Sequence, residues 1–299
     1  MSAAAEWQEL HFTARKDQVE PLEDWLFARG ALSVTLEDEA DQPLLEPGPG
    51  ETPLWDAVRL TALFAGAEDL TPLLGEIPSE LCTQAPTVAV PVADREWTRV
   101  WEDQFHPLQM GGRLWICPSW THPPNPNAIN ILLDPGLAFG TGTHPTTAMC
   151  LRALDGDLPP GQRVVDYGCG SGILGIAAAR LGAKAVLGVD NDPQAITASR
   201  DNARRNEVPD TTFPVVLPQD DLVATWQASA NWVVANILAG PLVALAPVLT
   251  SLMVPGGRLL LAGLLVEQAE AVMEAYAPEV ALSIADQQEE WVLLAGDKC

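Results

Sequence analysis

The chain has 299 residues, of which 47% are hydrophobic, and a formal net charge of −24 at pH 7. Such a charge repels the phosphate backbone of nucleic acids and attracts basic proteins, so we expect a basic protein partner and no direct contact with nucleic acid. No apolar run approaches the roughly 18 to 20 residues of a membrane span, and the five cysteines never form C-x-x-C. We therefore expect a cytoplasmic protein without a membrane segment or a metal site.

Residues 1–93 are predicted to form a small α+β domain. Their short apolar elements follow the order strand, helix, strand, strand, helix, strand, which is the order of the ferredoxin-like fold. The segment is strongly acidic, with 17 acidic residues against 4 basic ones. Because the ferredoxin-like fold supports many activities, the order of elements alone indicates no function.

Residues 94–127 are interpreted as a linker rich in tryptophan. They include W-T-R-V-W-E-D-Q-F-H-P and R-L-W-I-C-P-S-W. Trp97 and Trp101 are four residues apart, which places them on one face of a helix. We expect them to pack between domains, and contact with a substrate is the alternative.

Residues 128–299 alternate strands with helices, which is the pattern of a doubly wound, mostly parallel α/β sheet. We predict a seven-stranded Rossmann-like domain of this kind. Asp192 and Pro193 indicate the start of a helix, Gly182 indicates the end of another, and His144 is a candidate cap for a helix beginning at Pro145. In such sheets ligands bind at the carboxyl ends of the strands.

A glycine-rich turn, D-Y-G-C-G-S-G at residues 166–172, follows the first strand of this region, and the second strand ends at Asp190. Glycines let a cofactor approach the backbone, and an acidic residue at the next strand end can accept hydrogen bonds from ribose hydroxyls. Gly170, Gly172 and Gly175 also satisfy the dinucleotide pattern G-x-G-x-x-G. A dinucleotide and S-adenosylmethionine are therefore both candidate cofactors.

The position of the turn favours S-adenosylmethionine. The tight turn starts at Gly168, and from there the third glycine of a dinucleotide motif would fall on Ile173. Asp166 adds a carboxylate that would repel a pyrophosphate and attract the cationic methionine end of S-adenosylmethionine. A loop carboxylate without contact to any ligand is the alternative for Asp166.

A further strand ends in A-N-I-L-A, residues 235–239, where an amino-methylating enzyme would hold its acceptor. The related N-P-P-Y motif binds a planar nitrogen through an asparagine and an aromatic ring. Asn236 retains the polar part, while the prolines and the aromatic residue are absent. This combination favours a flexible aliphatic amine over a flat acceptor. An asparagine that only caps the next helix is the alternative.

Three motifs in this order resemble the ribosomal-protein methyltransferase family that acts on protein eleven of the large ribosomal subunit. They are D-P-G-L-A-F-G-T-G-T-H-P-T-T at 134–147, the D-Y-G-C-G-S-G turn, and V-A-N-I-L-A-G-P-L at 234–242. The resemblance covers the whole chain. It implies an S-adenosylmethionine-dependent enzyme that methylates lysine side chains and the N-terminal amine of that basic protein. By position it implies that four residues bind the cofactor: Thr147, Gly168, Asp190 and Asn236.

The first of these motifs is expected to form a loop over the methionine end of the cofactor, with Gly140 as a flexible point and Phe139 as an apolar cover. Asp166 and Gly170 complete the expected cofactor site. Asn236 is the candidate catalytic residue and would orient the amine. We expect the acidic first domain to capture the substrate protein, and we expect a monomer. The rival hypotheses are a methyltransferase for another acceptor, such as a release-factor amide, a nicotinamide dehydrogenase, and a non-catalytic binding protein.

Overall fold

The computed structural model describes residues 7–39, 54–65, 70–78, 80–83, 87–88, 106–134 and 144–299. The chain divides into two compact units, residues 1–100 and 101–299. Four residues named above, Trp97, Trp101, Phe139 and Gly140, lie outside the described residues. Within the described ranges, no helix has the length and apolar character needed to cross a bilayer.

The first unit is an antiparallel sheet with two helices. Its elements are β1 (Trp7–Arg15), α1 (Lys16–Phe27), β2 (Ser33–Asp38), β3 (Ala57–Ala65), α2 (Thr71–Glu76) and β4 (Thr87–Val88). The strands are ordered β2-β3-β1-β4. Alternate residues of β1, such as Leu10 and Phe12, are buried in the same core as Leu22 and Leu26 of α1. The predicted order of strands and helices is present.

A three-stranded sheet opens the described part of the second unit, with strands β5 (Leu108–Met110), β6 (Leu114–Cys117) and β7 (Ile129–Leu132). Leu114 and Ile116 are buried in the main core of this unit, because the alternation in L-W-I-C turns them to the same side. Asp155 accepts hydrogen bonds from the backbone N–H groups of Gly112, at 2.6 Å, and Arg113, at 3.0 Å. Residues within 106–117 therefore pack with the core of the second unit, while the linker bounds 94–127 and the boundary at residue 93 stay predictions.

The second unit is built on a seven-stranded sheet, as predicted. Its strands are β8 (Arg163–Tyr167), β9 (Ala185–Val189), β10 (Val215–Val216), β11 (Ala230–Asn236), β12 (Met253–Leu265), β13 (Ser283–Gln288) and β14 (Trp291–Asp297). The strand order is β10-β9-β8-β11-β12-β14-β13. The first five strands in this order are parallel, and β14 runs antiparallel to both of its neighbours.

Helices cover both faces of this sheet. They are α3 (Pro145–Asp157), α4 (Ile173–Arg180), α5 (Pro193–Arg205), α6 (Asp221–Ala224), α7 (Ala239–Ala244), α8 (Ala246–Leu252) and α9 (Ala269–Tyr276). Successive residues of a strand point to opposite faces, so Val164 of β8 packs in one core cluster and Val165 in the other. The first cluster includes Leu151 of α3, and the second includes Leu249 of α8.

The predicted helix termini are present. Asp192 accepts a hydrogen bond from the N–H of Gln194 at 2.8 Å and caps α5. Gly182 has φ +99° just after α4, a conformation that glycine adopts without strain. His144 caps α3 through its side chain. The chain leaves β8 for β9 on one side and later enters β11 on the other, so the carboxyl end of β8 is where such sheets bind ligands.

Candidate functional site

A cavity of about 750 Å³ lies at the carboxyl ends of β8, β9 and β11, in the second unit. Five of the eight predicted site residues line it: Thr147, Gly168, Gly170, Asp190 and Asn236. Asp166 is not part of its wall, and Phe139 and Gly140 lie outside the described residues. Residues from three strand ends and one helix start, widely separated in sequence, are therefore brought together.

The turn after β8 is held by hydrogen bonds to β9. The N–H of Gly168 donates to the carbonyl of Val189 at 2.7 Å. Gly168 has φ +75°, and a Cβ added there would overlap the Ile237 side chain. Glycine is needed at this position for both reasons, since other residues would have a strained backbone and would have to displace the Ile237 side chain.

Asp190 is fixed by two backbone donors. Its Oδ2 accepts from the N–H of Gly170 at 2.8 Å, and its Oδ1 accepts from the N–H of Asp192 at 3.0 Å. Each carboxylate oxygen can accept more than one hydrogen bond. Because Asp190 also lines the cavity, its carboxylate can receive the two hydroxyls of a ribose without losing its own support.

Asp166 is a buried carboxyl behind the same turn, only 1% exposed. Its Oδ2 accepts from the N–H of Gly175 at 2.8 Å, and its Oδ1 has no hydrogen-bond partner among the described residues. Burial raises the pKa of Asp166 to about 7, the Gly175 N–H opposes this rise, and the Asp190 carboxylate adds to it. A nearby positive charge would therefore favour the ionised form.

Asn236 and Thr147 form a hydrogen-bonded pair of side chains in the cavity wall. Asn236 Nδ2 donates to Thr147 Oγ1 at 3.1 Å, and Thr147 is fully buried in the first turn of α3. Within the described residues, Asn236 Oδ1 is buried without a partner. An unpaired buried carbonyl oxygen is costly, so this atom is suited to accept an N–H from a ligand. The alternative role as a helix cap is excluded, because α7 has Leu238 at its N-cap.

His144 contacts two different parts of the cavity wall. Its Nδ1 lies 2.8 Å from Thr146 Oγ1 and accepts from the Thr146 N–H at 3.4 Å. Its ring meets Trp291 edge to face, with 4.8 Å between ring centroids and an angle of 72°. Burial lowers the pKa of His144, and the Glu290 carboxylate opposes that shift. A neutral imidazole at neutral pH matches its role as a cap, which requires Nδ1 as acceptor.

Several cavity residues were missed by the sequence analysis. Trp291 lines the cavity because β14 is antiparallel, which brings its first residue to the carboxyl edge of the parallel strands. Tyr167 and Leu238 line it as well. Gly263, with φ +87°, lets the backbone of Ile237 pass so closely that a Cβ would overlap it. The sequence signal for Gly263 was a lone glycine in an apolar strand, which indicates a close backbone approach.

The lining is otherwise mainly apolar and suits an organic cofactor better than a metal ion. In the part of the chain that the structure describes, no group of three His, Cys, Asp or Glu side chains could hold a metal. The glycine turn, the supported carboxylate of Asp190 and the buried Asp166 together fit a ligand with a ribose and a positive charge. Asn236 Oδ1 adds an acceptor for a second, nitrogen-bearing group.

Comparisons with known proteins agree with this geometry. The model of the family described as ribosomal protein L11 methyltransferase (PrmA) matches residues 6–299. The ribosomal protein L11 methyltransferase of Marinobacter nauticus is 51% identical over 295 residues, which cover 97% of this chain and 98% of that protein. The protein of the same name from Pseudomonas aeruginosa strain LESB58 is 50% identical over 291 residues, with the same coverage.

A solved structure is also similar. The crystal structure of ribosomal protein L11 methylase from Lactobacillus delbrueckii subsp. bulgaricus is 32% identical, with a TM-score of 0.57. The match covers 65% of this chain and 99% of that one. The seven-stranded sheet is therefore that of an α/β methyltransferase fold.

Proposed function

The chain belongs to the ribosomal protein L11 methyltransferase family, and we propose that it is an S-adenosylmethionine-dependent enzyme that methylates amino groups of ribosomal protein L11. The observation that carries this proposal is Asn236. Its amide is held by Thr147, and its Oδ1 is a buried acceptor without a partner among the described residues. An amine donor is the natural ligand for such an atom.

The cofactor site is proposed to include all the residues that the sequence analysis named. Asp190 accepts from the ribose hydroxyls, and Gly168 and Gly170 allow close approach of the adenosine to the backbone. Asp166 favours the cationic methionine end from behind the turn. Thr147 and Asn236 are proposed to hold the end of the cofactor that carries the methyl group, and Phe139 and Gly140 are proposed to cover it.

S-adenosylmethionine, when bound, would supply a methyl group on a positively charged sulfur: a neutral amine bonds to the methyl carbon as the carbon–sulfur bond breaks, which leaves neutral S-adenosylhomocysteine and a methylated ammonium. The contribution of the protein is alignment. Asn236 Oδ1 accepts one N–H of the amine, and we propose the carbonyl of Ile237 or Leu238 as a second acceptor. Two acceptors on one side of the amine would orient its nitrogen lone pair away from themselves, as an attack on the methyl group requires.

The acceptors are proposed to be lysine side chains and the N-terminal amine. A lysine with a pKa near 10.4 requires about 3 to 5 kcal/mol to lose its proton at pH 7. The apolar lining of the cavity reduces this cost, because desolvation disfavours the charged form. The proton passes to solvent. A flat amide acceptor is disfavoured, since Ile237, Leu238 and Ala239 stand where the N-P-P-Y motif has its two prolines and its aromatic residue.

The first unit is proposed to be a ferredoxin-like domain of residues 1–93 that captures the substrate protein. The antiparallel sheet order β2-β3-β1-β4, with helices after β1 and β3, supports the fold. The excess of acidic residues in this segment supports recognition of a basic protein. The methyltransferase domain is proposed to span residues 128–299, and the enzyme to act as a cytoplasmic monomer.

Replacement of Asn236 tests the proposal. The Asn236→Ala variant should lose about a hundredfold or more in kcat at saturating cofactor and L11, because the amine is no longer oriented. A suitable control is Asn231→Ala, five residues earlier on β11, where the lost hydrogen bond is to the N–H of Arg163 and is away from the cavity. Methyl incorporation into L11 measures both variants. Wild-type turnover in the Asn236→Ala variant would refute the role of Asn236.

A further inference from the structure

The order of strands along the carboxyl edge separates two sides of the cavity. Asp190 follows β9, Gly168 follows β8, and Asn236 ends β11 in the middle. Trp291 begins β14, two strands beyond Asn236 on the opposite side from Asp190. At about 4.8 Å between neighbouring strands, Trp291 is about 10 Å from Asn236 along the sheet. If the cofactor occupies the side of Asp190 and Gly168, as the proposed function requires, the side of Trp291 remains for the acceptor.

The Trp291 ring is held in a fixed orientation. The side chain is half-buried, packs against the main core cluster and lines the cavity. The His144 and Trp291 rings meet in a T-shaped arrangement, with 4.8 Å between ring centroids. His144 is itself fixed by its hydrogen bonds to Thr146 at the start of α3. The same helix end carries Thr147, which orients the Asn236 amide. One helix terminus therefore positions both the polar acceptor and the aromatic ring.

The surroundings of Trp291 suit a positively charged or methylated amine. The faces of indole rings attract cations, including ammonium groups that carry methyl groups. The preceding residue, Glu290, adds a carboxylate that acts on the neighbouring His144. An aliphatic amine can take up to three methyl groups, and each makes the nitrogen more apolar. Such a group loses hydrogen-bond donors for Asn236 but keeps its attraction to an aromatic face.

From this arrangement we propose that Trp291 binds the acceptor amine and its methylated forms, with His144 as the residue that positions the indole ring. The inference rests on the proposed function and names the acceptor-binding residue of the same site. It explains how an amine that has lost its N–H groups stays in the cavity for a further transfer.

Three variants of the full-length enzyme test the proposal. Trp291→Leu removes the aromatic face, Trp291→Phe keeps a smaller one, and Trp120→Phe is the control, since Trp120 is 37% exposed and is not part of the cavity wall. For each, KM and the ratio of mono-, di- and trimethylated products are measured on purified L11 by mass spectrometry. Binding of S-adenosylhomocysteine is measured by calorimetry.

We expect Trp291→Leu to raise KM for L11 and to lower the fraction of higher methylated products by about three- to thirtyfold, the range of a cation–π contact. Cofactor affinity should change less than twofold, and Trp291→Phe should lie between wild type and the leucine variant. The proposal would be overturned if Trp291→Leu and Trp120→Phe had the same KM for L11 and the same ratio of mono-, di- and trimethylated products. A loss of S-adenosylhomocysteine affinity in Trp291→Leu that is as large as the rise in KM for L11 would also overturn it, because Trp291 would then belong to the cofactor side.

His144→Asn provides a second test if the leucine variant is unstable. Asparagine can still cap α3 but has no ring to hold Trp291, so the product ratio should shift in the same direction as for Trp291→Leu. Unchanged products would contradict the positioning role. Wild-type enzyme that binds the cofactor and leaves L11 unlabelled would instead refute the proposed function itself, which separates the two failures.

Discussion

Asp166 should make the protein less stable as the pH rises from about 4 to 7. The pKa of this carboxyl is raised from its ordinary 3.8 to about 7 in the folded state. Below pH 4 it is protonated in both the folded and the unfolded states. Between pH 4 and 7 the unfolded chain loses the proton while the folded protein retains it, so the free energy of unfolding falls. Above pH 7 this contribution is constant.

The size of the effect follows from the two pKa values. A difference of one pH unit corresponds to 1.36 kcal/mol, so the rise from 3.8 to about 7 corresponds to about 4 kcal/mol. In Asp166→Asn this pH dependence should be absent, because the side chain carries no charge. Its carbonyl oxygen can still accept the hydrogen bond from Gly175, while its amide leaves donors unpaired and costs about 1 to 3 kcal/mol at every pH.

Urea unfolding of wild type and Asp166→Asn at several pH values between 4 and 8 measures this difference. Titrations of the other acidic residues are common to both proteins, so they cancel in the comparison. The wild type should be the more stable protein near pH 4. Its advantage in the free energy of unfolding over the variant should decrease steadily as the pH rises to 7. A stability difference that does not change with pH would refute the assignment of a raised pKa to Asp166.

Two further predictions concern the fold and the first domain. Gly263→Ala should destabilise the protein by about 1 to 3 kcal/mol more than Gly256→Ala. Both glycines have positive φ, but only a Cβ at position 263 overlaps the Ile237 backbone, and thermal unfolding compares them. Deletion of residues 1–93 should abolish methylation of L11 and leave S-adenosylhomocysteine binding intact, and added salt should raise KM for L11 in the full chain. Full activity of the truncated enzyme would contradict the recognition role.

The cavity residues of the proposed cofactor side could be predicted because their sequence signals are local. A strand, a glycine turn and a helix follow one another around Gly168 and Gly170, and Asp190 comes directly after the next strand. Each of these residues closely follows the carboxyl end of a strand, and the carboxyl ends of parallel strands lie at the same edge of the sheet. His144 was likewise recognisable as a cap from its position before Pro145.

The cavity residues of the proposed acceptor side depend on contacts that are distant in sequence. Trp291 reaches the cavity only because β14 inserts antiparallel between β12 and β13, which no periodic pattern reveals. Gly263 acts through the backbone of Ile237, 26 residues earlier. Strands β5 and β6 have three and four residues, too few for an alternating pattern to separate them from a loop.

The central claim is most directly tested by incubating the purified enzyme with labelled S-adenosylmethionine and purified ribosomal protein L11, followed by peptide mass spectrometry. We expect added masses in multiples of one methyl group, on lysine side chains or on the N-terminal amine, and far less in Asn236→Ala. L11 that stays unmodified by an enzyme that binds the cofactor would contradict the proposed function.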